Sequence, residues 1–149
     1  MKRYFGLTIA MAMLVAALAI TMQAQGSSSR VMRARIPFAF HVGSKELPAG
    51  EYRLTVLNPS SDQRALQIRS TDGRVSAIVN TLGMNAAATE KSKVVFHRYG
   101  DNYFFAQAQV AGEATALTAV KSRAERSEER MIARNNSKTN VAKVTILVE

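Results

Sequence analysis

Cysteine is absent from this chain and other chemically useful residues are scarce: two histidines, three prolines and eleven acidic side chains in 149 residues. Without cysteine there is no disulfide framework, no thiol nucleophile, no thiolate metal site and no acylated cysteine of the bacterial lipoprotein kind. The two histidines, His41 and His97, have no partner at metal-ligand spacing, neither His-x-x-x-His nor a glutamate placed for zinc on a helix. Serine chemistry is equally unsupported, because Ser44 follows Gly43 without the Gly-x-Ser-x-Gly elbow or its strand-to-helix turn. Glu46 and Glu51 bracket a turn, where two glutamates are ordinarily solvated rather than held at a glycosidase separation. Gly43 and Gly50 lack the lysine and helix of a phosphate loop. These absences argue against an enzyme, a metal and a cofactor. A catalytic reading would require His41, His97 and a carboxylate to meet within hydrogen-bond reach.

What is present begins with a basic start, Lys2 and Arg3, then Gly6 to Met22 without a charge, then small residues at Ala24, Gly26 and Ser27. That is the pattern of a secretory signal peptide. The expectation is a signal peptide over residues 1–24, with cleavage after Ala24 or after Gly26, a flexible lead-in over 25–30 and one β-rich domain over 31–149. An uncleaved membrane anchor is the competing reading of the same run, and Ala10, Ala12, Ala16, Ala17 and Ala19 weaken it by keeping the run only moderately apolar. The protein is therefore expected to be exported, periplasmic or extracellular, with no stable membrane span after cleavage.

Lysine and arginine total 20 against 11 acidic residues, a formal charge of +9. Setting aside Lys2 and Arg3 leaves a surplus of seven, which favours anionic surfaces. For an exported protein these are lipopolysaccharide, acidic polysaccharide or phospholipid headgroups, and nucleic acid is not expected. A basic surface that only aids solubility accounts for the same count.

From Met32 the even positions Ala34, Ile36, Phe38, Phe40 and Val42 are apolar, while Arg33, Arg35, Pro37 and His41 alternate with them. A period of two predicts a strand with one buried face, and Pro37, which cannot donate to a ladder, predicts a bend within it. Gly43 and the Leu47-Pro48-Ala49-Gly50 turn lead to a second strand at Tyr52, Leu54 and Val56, which Asn58-Pro59 ends. Ala65 to Thr71 and Val75 to Leu82 predict a hairpin across Asp72-Gly73. Gly83 to Ser92 reads as a loop. Lys93 to Tyr99 and Tyr103 to Val110 predict a second hairpin, with Phe96, Tyr99, Tyr103, Phe104 and Phe105 concentrating aromatic area there.

The period then changes. Ser122-Arg123-Ala124-Glu125 matches a capping box, predicting a helix over about 123–134 that frays at Asn135-Asn136. Val120, Ala124, Ser127 and Met131 share a weakly apolar stripe, flanked by arginines on one side and Glu125, Glu128 and Glu129 on the other. Arg123, Arg126, Arg130 and Arg134 fall within roughly 80 degrees of a helical wheel, a row able to engage phosphates or carboxylates. The competing reading is a solvated face balanced by the neighbouring glutamates. A last strand is expected over Val141 to Val148. The whole predicts a mainly β domain, an antiparallel β-sandwich or small β-barrel, with one C-terminal helix followed by a final strand.

Four blocks, "IPFAFHVGSKELPAGEYRL", "LQIRSTDGR", "KSKVVFHRYGDNYFFAQ" and "KSRAERSEER", together resemble a family of small exported proteins of acidobacteria and related soil bacteria. The resemblance spans nearly the whole domain and implies an extracytoplasmic bacterial protein with a mainly β fold. It implies no activity and carries over no catalytic or binding residue.

The function expected from these features is a non-enzymatic extracytoplasmic β domain that binds an anionic envelope or extracellular polymer, with Arg123, Arg126, Arg130 and Arg134 as the anion contacts. A carrier of a small apolar ligand in a barrel is the alternative, and it needs a pocket that the Phe38, Phe40, Phe96, Phe104 and Phe105 rings do not fill. A surface assembly subunit that polymerises through exposed strand edges is a further alternative. The sequence leaves the oligomeric state open.

Overall fold

The computed structural model describes residues 31–135 and 141–148. The expected signal peptide, lead-in and fraying point at Asn136 lie outside the described residues.

Strand β1 (Val31–Ile36) alternates as read, with Met32, Ala34 and Ile36 buried and Arg33 and Arg35 exposed. It pairs antiparallel with β4 (Gly50–Val56), whose Tyr52, Leu54 and Val56 face the same core. The bend expected at Pro37 is there. Beyond it β2 (Phe40–Val42) belongs to a different part of the sheet and forms a tight hairpin with β3 (Lys45–Leu47). Gly43 takes φ 64, the first central position of a two-residue primed turn, where an L side chain is strained. The Phe40 to Tyr52 segment therefore contains a hairpin of its own before the connection into β4. Tyr52 closes that connection by donating its hydroxyl to Pro48 O at 2.6 Å.

Strands β5 (Gln63–Ser70) and β6 (Ser76–Asn85) form the expected hairpin, as do β7 (Ser92–Tyr99) and β8 (Asn102–Gln109). Two details differ. β6 continues through Gly83 to Asn85, shortening the expected loop, because it pairs there with β9 (Thr115–Ala119), a strand not anticipated. Thr-Ala-Leu-Thr-Ala has no aromatic residue and its two alanines carry little strand preference, so its place is decided by pairing with β6 on one side and β8 on the other.

Helix α1 (Arg123–Asn135) follows, then β10 (Ala142–Val148), which returns antiparallel to β7. Among the described residues all ten strands belong to one sheet. Its main path runs β1, β4, β5, β6, β9, β8, β7, β10, with β2 joining the free part of the β8 edge through a parallel bridge, His41 opposite Phe104. The sheet curls until β10 lies beside β1, so one continuous sheet, rather than two stacked ones, surrounds the core.

That core is knitted by aromatic rings. Phe40 meets Tyr52 at 5.2 Å and Phe96 at 5.3 Å, Phe38 meets Phe96 at 5.3 Å, and Phe96 meets Phe105 at 6.2 Å, all edge to face. This is the favoured geometry of ring quadrupoles. Phe104 is the exception, because it points to the opposite face of the sheet and stacks on His41 at 4.8 Å.

Candidate functional site

Sheets in small β domains usually leave their outer face to water. Around β7 and β8 this one does not: Val95, Tyr99 and Phe104 are buried although they lie outside the main core cluster. Helix α1 packs against β7 here. Its start is set by Ser122, whose hydroxyl accepts from Glu125 N at 3.1 Å, half of the expected capping box. The other half is diverted. Glu125 is 4% exposed, and its Oε1 lies 2.7 Å from His97 Nδ1 and accepts from the Tyr99 hydroxyl at 3.2 Å. A carboxylate facing that nitrogen places a proton on Nδ1, so the ring donates.

A second tie lies beside it. Lys121 Nζ donates to Glu129 Oε1 at 2.7 Å, and this bond holds the ammonium pKa above its ordinary value. Burial pushes the Tyr99 phenol up to about 12, with the negative charge of Glu125 as the next contribution.

These ties set the rotation of α1, and the side they turn inward is not the weakly apolar stripe. Ala124, Ser127 and Met131, of the weakly apolar stripe, are exposed, Met131 by 48%. The face turned inward carries Glu125, Glu128, Glu129 and Ile132, which are buried or half-buried. On a wheel of about 100 degrees per residue this face is centred opposite the arginine row. A helical wheel ranks Ala and Met as the buried side because they are apolar. It cannot register that His97 and Tyr99, distant in sequence, await a carboxylate on the sheet.

Arg123, Arg126, Arg130 and Arg134 are all exposed along the solvent side of α1. Arg126 donates through Nη1 to Lys121 O at 2.9 Å. Among the described residues no ion pair engages the other three. The glutamates expected to balance them are turned away, Glu125 to His97 and Glu129 to Lys121. Arg123, at the first turn, also sits at the positive end of the helix dipole, where a cation is unfavourable by a few tenths of a kcal/mol. The result is a row of cations without internal compensation, suited to phosphate, sulfate or carboxylate groups arranged along a line.

The residues of the catalytic alternative do not converge. His97 finds a carboxylate, but His41 stacks on Phe104, which stands directly opposite His97 across β8 and β7. The two histidines are thus two strand spacings apart, about 10 Å, beyond hydrogen-bond reach. Glu46 lies directly opposite His41 in the β2–β3 hairpin, and Glu51 on β4 stands opposite Arg35. Among the described residues no three His, Cys, Asp or Glu side chains are grouped so as to hold a metal ion, and no helix is long and apolar enough to cross a membrane. Comparison with protein-family models, with curated proteins and with solved structures finds no match to this chain.

Proposed function

We propose that this chain is an exported, non-enzymatic β domain that docks on an anionic polymer of the cell envelope or its surroundings through the arginine row of α1. The observation that carries this reading is the segregation of charge on the helix. Its inward side holds Glu125, bonded to His97 and Tyr99, Glu129, bonded to Lys121, and the half-buried Glu128, while the opposite side presents Arg123, Arg126, Arg130 and Arg134 to solvent. A rigid sheet behind the helix holds the row in one orientation, which reduces the entropy lost on binding an extended polyanion. The resemblance to small exported bacterial proteins agrees with this location.

The carrier alternative loses support from the rings of Phe38, Phe40, Phe96 and Phe105, which occupy the interior an apolar ligand would need. For the assembly alternative, β1 and β10 lie close enough to shield each other, while among the described residues β3 pairs only with β2 and keeps its outer edge.

Retention on immobilised lipopolysaccharide, with a neutral polysaccharide as blank, tests the reading. Binding should be strong in dilute buffer and weaken as salt shortens the Debye length from about 30 Å at 0.01 M to about 8 Å at 0.15 M. Replacing the four arginines by Gln should abolish most of it without changing the melting temperature. No retention at low salt, or retention unchanged by those replacements, would refute it.

A further inference from the structure

Charge is also arranged on the sheet. In β1, β4 and β5 the register places Arg33 directly opposite Arg53, and Arg53 directly opposite Arg69, all three exposed on the outer face. Like charges directly opposite one another on neighbouring strands are destabilising. Among the described residues none of the three has a carboxylate partner; Asp72 is taken by the Ser70 hydroxyl and by Arg74, and Glu51 stands opposite Arg35 rather than within the row. Arg69 has a defined position, with its guanidinium against the turn at Gly73, where an added Cβ would come within 3.1 Å of Nη2. At the β6 end, Ser76 follows Arg69 in register, and the ammonium of Lys45 is tied to Ser76 O at 2.8 Å.

From this arrangement we infer a second anion-binding site, the Arg33–Arg53–Arg69 row, whose ligand is a linear polyuronate, an acidic polysaccharide with one carboxylate per sugar. Opposed residues on adjacent strands repeat about every 5 Å, so the row offers one cation per strand over about 10 Å. Successive sugars of a linear polyuronate are turned about the chain, so carboxylates return to one side every second or third unit, a span that the row from Arg33 to Arg69 and its long side chains can reach. The adjacent row on the same face supplies what the hydroxyls of a sugar need. Thr55 and Gln67, paired with each other, lie two residues from Arg53 and Arg69, and the exposed Val31 and Ile78 flank them with apolar surface for the sugar faces. Arg33 and Arg35 continue the basic surface to the rim of a groove of about 480 Å³ along the seam with β10, with Leu147 on its far side. A phosphate chain has no hydroxyls to use the Thr55 and Gln67 row, which is why a sugar acid fits better.

This site is independent of the α1 row, so its test is made on protein in which Arg123, Arg126, Arg130 and Arg134 are already Gln. Calorimetric titration of that protein with oligogalacturonate in dilute buffer should still show binding. Adding Arg53→Gln and Arg69→Gln should weaken it about tenfold or more, since two charge-assisted contacts are removed. Thermal stability should hold or rise slightly as the repulsion is relieved, which separates lost contacts from lost fold. No binding in the helix variant, or binding indifferent to Arg53→Gln and Arg69→Gln, overturns the site. Inorganic polyphosphate binding this protein as tightly as oligogalacturonate overturns the polyuronate assignment.

Discussion

Glu125 is the buried carboxylate of a largely exposed helix, and two donors, the half-buried His97 Nδ1 and the buried Tyr99 hydroxyl, depend on it. Glu125→Ala leaves both unpaired and should destabilise the protein by about 2 to 4 kcal/mol in urea unfolding. Amide exchange should show α1 opening before the sheet, because the helix loses its main polar tie to β7. Equal protection in α1 before and after the substitution would refute its role as the anchor. Tyr99 adds an alkaline signature. An unfolded tyrosine titrates near 10, whereas burial and Glu125 hold the folded phenol up to about 12. The folded state's preference for the protonated phenol is fully present below about pH 10 and is lost as pH rises through about 12. Lys121, whose pKa is raised by Glu129, acts in the same direction above its ordinary range. Stability should therefore fall across that alkaline window, by roughly 2 kcal/mol from Tyr99 alone. Denaturant midpoints measured from pH 9 to 12 should fall less steeply for Tyr99→Phe, and equal slopes would contradict the assignment.

At the scale of elements, the β2–β3 hairpin rests on one backbone angle. Gly43→Val forces a β-branched residue to φ 64 and should cost about 1 to 2 kcal/mol, read as a lower melting temperature, although no side chain of the protein lies within 4 Å of the new Cβ. What was legible in the sequence divides along the same line. Alternation in β1, β4, β5 and β6 is clear because one face of each is pressed on the core, and a period of two follows directly from that. β3 was missed because three residues cannot show a period, and β9 because alanines carry little strand preference. Both are held by partners far away in sequence. The start of α1 was legible in Ser122, a local signal, but its rotation was not. That rotation is set by the bond from Glu125 to a histidine 28 residues earlier. The four arginines of the candidate site were legible as a row, and their freedom from the glutamates became visible only with the helix docked. The Arg33, Arg53 and Arg69 row was hidden for the same reason, since register across strands brings it together.

For the whole molecule, the surplus of basic over acidic residues is neither uniform nor internally neutralised. Among the described residues, carboxylates anchor α1, form the Asp72 turn and face Arg35, and no ion pair engages either arginine row, the one on the helix or the one on the sheet. Natural sequences depart from favourable local choices mainly where function requires it. Arg123 at a helix N-terminus and three arginines across neighbouring strands are such departures. The aromatic core that holds both rows in place explains how so basic a chain stays folded without a disulfide.

The most direct test of the central claim, that α1 presents its arginines as an anion contact, is a nuclear magnetic resonance titration with a short soluble polyanion, following the arginine side chains. The account predicts shifts centred on Arg123, Arg126, Arg130 and Arg134 that disappear as salt is raised, with His97 and Tyr99 unmoved behind the helix. Binding that leaves those four arginines unshifted would contradict it.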